Sequence, residues 1–294
     1  MYPGVERFLA AWHTSVAAQR DRAFDLWIAL DSLTPTDVGY AVGRDVEATW
    51  VAAAPGDTPA KVRQRVLEAT AERYDGLVLV DSDDLLRPSR VGAARRALSQ
   101  ADLSVCGLRL VDESGHDIGS TLRPPAGLGP DLGLPRANTF GLSNTAYRCE
   151  LLRRCLPIPA AAELVDWYLA TRAWLLGAAI HADPVARMDY RQHGSNMTVV
   201  RPPFSEAQVR HDTARVLAHL ALVMSTVQEE AQPGRVRALA AATADVALFR
   251  RRVVGSPERL SSYVRRLDGL TWPSSWWSHV ARPELADMWR EPEV

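Results

Sequence analysis

The chain has 294 residues, 47% hydrophobic and 23% charged, which is enough apolar material for one large or two modest cores. Lysine plus arginine (34) nearly cancels aspartate plus glutamate (35), and a net charge of −1 disfavours a nucleic-acid or anionic-lipid partner. Lys61 is the only lysine, so arginine carries almost all the positive charge. Cys106, Cys149 and Cys155 form no CxxC pair and no metal spacing with histidine, which points to buried thiols in a reducing compartment. No signal peptide is expected, because Glu6 and Arg7 stand where its apolar stretch would begin. No transmembrane segment is expected either, since Asp166 and Arg172 break the apolar run from Leu164 to Ile180. The expected setting is the cytoplasm, with room for a peripheral place at the inner face of the membrane.

Val5 to Ala18 has helical spacing. Phe24 to Leu30 reads as a strand ending at Asp31, and Val46 to Ala52 as a weaker one. Thr58-Pro59 opens a helix, with Thr as N-cap and Pro at its first position, and Val62, Val66 and Ala69 continue it to Asp75-Gly76. Leu77-Val78-Leu79-Val80 is apolar on both faces, as a central parallel strand should be, and runs into Asp81-Ser82-Asp83-Asp84. A helix follows Pro88-Ser89. Leu103 to Val111 is a strand, and Glu113 to His116 turns it into a hairpin. Residues 120–138, rich in Gly and Pro, predict a long loop. Asn144 to Arg154 and Leu164 to Leu176 read as helices, Ile180 to Ala182 and Val185 to Tyr190 as strands.

From Ser205 the pattern is helical only. The alternation predicts an α/β domain with a mainly parallel sheet over residues 1–204 and a helical region over 205–294. Trp272, Trp276, Trp277 and Trp289 are too many aromatics to leave in water, so the helical region needs a covering surface, in this chain or in a second copy.

Open α/β sheets bind ligands beyond the carboxyl ends of their strands. Asp31 and the Asp81, Asp83, Asp84 cluster fall at such ends. A D-x-D there suits a hard divalent cation whose remaining ligands come from a diphosphate; the plainer reading is a cap for the next helix. Asp166 begins an apolar, Trp-rich helix, either as a dipole-stabilised carboxylate or as a base held against an apolar wall. Tyr190 to Thr198 gathers Arg191, His193, Gly194 and small polar residues into a turn, where Arg191 would pair with phosphate.

In this order the three pieces resemble the family 2 glycosyltransferases of the GT-A fold, over roughly residues 1–200. Leu79 to Asp84 looks like the family's D-x-D motif, and Phe140-Gly141-Leu142-Ser143-Asn144 like its acceptor-side turn. Val165-Asp166-Trp167 stands where the family often has Glu-Asp-Trp, and Tyr190 to Asn196 resembles its closing segment. The resemblance implies an inverting transfer of a sugar from a nucleotide-sugar donor to an acceptor hydroxyl. The acceptor's class, whether saccharide, lipid-linked or small molecule, stays open. Mg2+ or Mn2+ would lie on Asp83, Asp81 and His193. Asp31, Arg63, Asp81 and Arg191 would hold the donor, and Gly141, Ser143 and Asn144 the acceptor. Asp166 would be the base.

The family opens with an apolar strand, and here Met1 to Gly4 already resembles the turn after it. That predicts a missing first strand, an unpaired edge on each neighbour, and a coding region that continues upstream. Two other functions compete: a catalytically idle relative that binds nucleotide or a protein, and a nucleotidyltransferase. The second would want a Gly-rich phosphate loop.

Overall fold

The structure is a computed structural model that describes residues 1–124, 133–194, 196, 202–272 and 275–290. Contacts divide it into two units, one of Met1–Pro124, Phe140–Ala173 and Ala178–Gly194, the other of Pro125–Thr139, Trp174–Gly177 and Ser195–Val294.

In the first unit α1 (Glu6–Ala17) buries Phe8, Leu9, Trp12 and Val16 along one stripe. Burying an apolar side chain of that size is worth roughly 1.5–3 kcal/mol. Helix α2 (Pro35–Val42) has no apolar period to announce it, because only Val38 is buried. A capping box makes it instead: the Thr34 hydroxyl accepts the Asp37 N–H and the Asp37 carboxylate accepts the Thr34 N–H. Helix α3 (Pro59–Ala71) starts as expected, with the Thr58 side chain accepting the Lys61 N–H.

Strands β1 (Trp27–Leu30) and β2 (Thr49–Ala52) form a parallel pair of their own. The larger sheet runs β3 (Gly76–Val78), β7 (Thr145–Arg148), β5 (Leu103–Val111), β8 (Ile180–Arg191) and β4 (Leu85–Leu86). Strand β6 (Asp117–Leu122) is a hairpin partner of β5. Among the described residues only β5 and β8 are parallel in this sheet, so the pairing is mixed where alternation predicted a mainly parallel one. Strand β7 accounts for two of the antiparallel pairings. It lies in a stretch with helical spacing, yet Ala146 and Tyr147 pair with β3 on one side and β5 on the other, and burial between two strands overrides local preference. Helix α5 (Cys149–Cys155) keeps only the second half of that stretch.

The two strands expected after Ile180 are one strand with an irregular register opposite Gly107. A Cβ on Gly107 would stand 2.9 Å from the Pro184 carbonyl, so only glycine admits this approach. Helix α4 (Arg90–Leu98) and helix α6 (Val165–Leu175) up to Ala173 complete the unit, with Trp167, Leu169 and Ala170 of α6 fully buried. All three cysteines are buried, and desolvation pushes the thiols up, Cys149 to about 11 and Cys155 to about 12.

No described strand joins β1 to β3. Leu77 to Val80 is consequently half-buried rather than buried on both faces. Leu79 donates its N–H to Thr145, so Val78 and Val80 turn theirs to the opposite edge. On the facing edge of β1, the Met1 ammonium donates to the Ala29 carbonyl at 2.5 Å and the Met1 carbonyl accepts the Asp31 N–H at 2.7 Å. That is the bond pattern of a parallel pair. A chain carrying five added Val or Ile residues ahead of Met1 is expected to extend this pairing and protect the Val78 and Val80 amides from exchange. Its Tm should rise, by about 2–4 °C for each kcal/mol gained. Unchanged exchange and Tm would show that this space does not accept a strand.

The second unit packs α7 (Glu206–Ser225), α8 (Pro233–Phe249), a π-helical turn (Arg250–Val254), α9 (Pro257–Asp268) and a 3₁₀ turn (Pro283–Met288). Trp289 packs within this unit, 5.1 Å from Phe249 and 6.2 Å from Tyr263, with its indole N–H on Asp245, and Trp276 and Trp277 are also buried. Trp272 is half-buried. Desolvation would raise Asp245, but bonds from Arg290, Trp289 and Arg136 hold its carboxyl at about 2. Among the described residues, no helix is long and apolar enough to cross a membrane.

Burial also drops the His219 imidazole of α7 from 6.5 to about 3. The unfolded chain therefore binds a proton that the folded chain refuses between those values, and stability falls as pH is lowered through that window. The expected loss is about 2 kcal/mol between pH 7 and pH 5. His219→Gln should flatten that part of a urea-unfolding pH profile.

Candidate active site

The D-x-D turn follows β3 and leads straight into β4, and the end of β8 packs against it. Asp83 presents Oδ2 to His193 Nε2 at 3.0 Å, with the His193 side chain 2% exposed and that of Asp83 17%. Phe8 of α1 lies under both the His193 and Arg191 side chains, 5.0 Å from the His193 ring and 4.8 Å from the Arg191 guanidinium carbon. Arg191 faces inward. Its Nε donates to the Asp83 carbonyl at 2.7 Å and its Nη1 to the Glu113 carbonyl at 2.6 Å, which makes it a strut between two loops rather than an arm held out to phosphate.

Asp84 is 1% exposed and bonded through both oxygens, to the Arg191 N–H at 3.0 Å and the Ser143 hydroxyl at 2.5 Å. Desolvation, then the Asp83 and Asp81 carboxylates, push its carboxyl well above the usual range, against the pull of those two bonds. Desolvation also raises Asp81, while Arg63 and the Met1 ammonium pull it down. Arg63 Nη2 stands 3.6 Å from Asp81 Oδ1 with both side chains more than a third exposed, so this pair contributes little stability and stays available to a ligand. Asp31, at the end of β1, accepts from the Ser32 hydroxyl.

The acceptor-side turn divides in two. Gly141 and Leu142 are half-exposed, whereas Ser143 and Asn144 are 3% exposed, Ser143 bonded to Asp84 and the Asp81 N–H, Asn144 donating to the Cys106 carbonyl. Asp166 is half-exposed in the first turn of α6, with Oδ1 accepting its neighbour Trp167's N–H at 2.8 Å. Val165 beside it is buried. The Tyr190 phenol ties this region to the D-x-D turn: desolvation pushes it far above 10, and so do the carboxylates of Asp84, Asp83, Asp81 and Asp166, in that order. The charges of all four carboxylates thus act on one phenol. Ser195 and Met197 to Thr198 of the closing segment lie outside the described residues.

Among the described residues no three His, Cys, Asp or Glu side chains gather as a metal cage. The Asp83–His193 pair offers one oxygen and one nitrogen facing each other. Such a partial set suits a cation completed by substrate phosphates and water, the usual manner of Mg2+ and its relatives. The residues therefore fit a divalent ion whose remaining ligands come from outside the protein.

Sequence reasoning missed Phe8, whose place in the α1 apolar stripe marks it as core, and Tyr190, which lies inside the closing segment without attracting notice. It also missed the Met1 ammonium, which senses Arg63, Asp81, Asp31 and Asp83.

The curled mixed sheet and its helices are similar to the GT-A type of glycosyltransferase fold. Solved structures bear this out. The TarS 1–349 fragment of S. aureus matches with a TM-score of 0.57 at 14% identity, over 98% of this chain and 87% of that one. Its complex with UDP-GlcNAc matches at 0.55 and 14%, over 97% and 86%. The mannosyltransferase PcManGT of Pyrobaculum calidifontis, in complex with GDP-Man and Mn2+, matches at 0.56 and 14%, over 93% and 75%. No family model and no curated protein matches the sequence. The likeness establishes the fold.

Proposed function

We propose that this protein is a glycosyltransferase that moves a sugar from a nucleoside diphosphate to an acceptor hydroxyl in one inverting displacement. The observation that carries the reading is a GT-A fold whose D-x-D turn sets Asp83 Oδ2 3.0 Å from His193 Nε2, with Arg63 3.6 Å from Asp81. Structures of similar fold hold UDP-GlcNAc or GDP-Man with Mn2+, which supports a nucleotide-sugar donor. In this reading Asp31 meets the base or ribose, and Asp81 with Arg63 borders the diphosphate. Asp83 and His193 hold Mg2+ or Mn2+. A cation bound there supplies positive charge to the departing diphosphate. The acceptor enters over Gly141 and Leu142, and Asp166 takes the proton from its hydroxyl.

The test is incubation of purified protein with UDP- and GDP-sugars, with and without Mn2+, while nucleoside diphosphate release is followed. Slow Mn2+-dependent hydrolysis to the inverted sugar supports the reading. One observation favours a catalytically idle relative: buried Val165 stands beside Asp166 where a second carboxylate is frequent. Mn2+-dependent binding of UDP or GDP with no turnover on any donor would favour that alternative.

A further inference from the structure

We propose that Asp84 is a positioning residue that fixes the metal-facing turn by tying it to the Gly141–Asn144 turn and to the end of β8. This rests on the metal and donor reading above. Three separate segments meet at one carboxyl. Oδ2 accepts the Ser143 hydroxyl at 2.5 Å, and the Ser143 oxygen in turn accepts the Asp81 N–H at 2.9 Å. Oδ1 accepts the Arg191 N–H at 3.0 Å. From there Arg191 reaches the Asp83 carbonyl, and His193, two residues on, reaches the Asp83 carboxylate at 3.0 Å.

The bonds make a closed circuit. Asp81 is held through Ser143, Asp83 is held through Arg191 and His193, and Asp84 joins the two holds. Its burial shows that it is not itself a ligand-facing group, with 1% of its surface exposed. A buried carboxyl is costly without partners, so a residue that merely filled this space would be apolar. What the carboxyl offers is two acceptor oxygens at a fixed separation, which matches the two donors that converge on it. Positioning of this kind matters because ligand groups act well only when their supports hold them within a fraction of an ångström. The circuit also links the two halves of the site. The acceptor-side turn shares its Ser143 hydroxyl with the metal motif, so the donor and acceptor faces are built on one set of hydrogen bonds.

Three variants test this: Asp84→Ala, Asp84→Asn and Ser143→Ala, each studied well below its own Tm. Calorimetry would measure binding of UDP and of GDP with and without Mn2+, and amide exchange would be read at Asp81 and Arg191. Asp84→Ala is expected to weaken Mn2+-dependent binding about 10-fold or more, with metal-independent binding unchanged. Both amides should exchange faster. Asp84→Asn should restore most of the affinity, because its Oδ1 still accepts from Arg191 and its Nδ2 can donate to Ser143. Ser143→Ala should loosen Asp81 alone.

A folded Asp84→Ala with wild-type Mn2+ dependence and wild-type exchange would overturn the proposal. So would Asp84→Asn that is as impaired as alanine, since charge rather than geometry would then matter. If Asp84→Ala does not fold, the comparison of Asp84→Asn with Ser143→Ala decides. Wild-type protein that binds neither nucleotide in a Mn2+-dependent way would refute the proposed function instead. The exchange pattern would still judge the circuit.

Discussion

Asp166→Asn is expected to lower turnover about 100-fold or more and to leave donor affinity nearly unchanged. The substitution keeps the shape of the side chain and an oxygen that can still accept the Trp167 N–H, now 2.8 Å away. It removes only the capacity to take a proton. If Asp166 is the base, the loss falls on the step after both substrates are bound, so kcat drops while the donor's KM stays put. If Asp166 only stabilises the start of α6, the same change costs a few tenths of a kcal/mol of stability and turnover survives. Steady-state kinetics with a thermal melt separate these outcomes. Turnover near wild type would return Asp166 to a helix-start carboxylate.

The second large effect belongs to Asp83. Asp83→Ala is expected to reduce Mn2+-dependent binding of nucleoside diphosphate by at least about 100-fold, more than the loss of a residue that only supports a ligand. The fold should survive. The bond from Arg191 goes to the Asp83 backbone carbonyl, which alanine retains. Only the contact with His193 Nε2 disappears. Calorimetry with UDP and GDP, each with and without Mn2+, gives the answer. Unchanged Mn2+ dependence in a folded variant would show the metal assignment to be wrong. A parallel His193→Gln variant should lose less, because it keeps a polar group facing the Asp83 carboxylate.

Much of this was legible in the residues themselves. Thr58-Pro59 and the Leu103–Val111 run are local signals, a cap and an apolar strand, and they produced the elements expected of them. The strand-end acidic groups were legible for the same reason: a strand that stops at Asp31 or Asp81 puts that carboxylate at the sheet's carboxyl edge, whatever else the chain does. Residue type and order therefore determined where along the chain the acidic groups fall and which chemistry they suit.

Tertiary structure decided the rest, because those features depend on partners far apart in sequence. Thr145 to Arg148 has the spacing of a helix and became a strand only because β3 and β5 lie on either side of it. Arg191 reads as a phosphate ligand until its guanidinium is seen to reach the carbonyls of Asp83 and Glu113, 108 and 78 residues away. Ser143 reads as an acceptor contact until it is found buried against Asp84, 59 residues earlier. A polar side chain shows its chemistry in the sequence. Whether it is spent on a ligand or on the protein's own backbone is settled by burial, since a buried donor must find an acceptor within the fold.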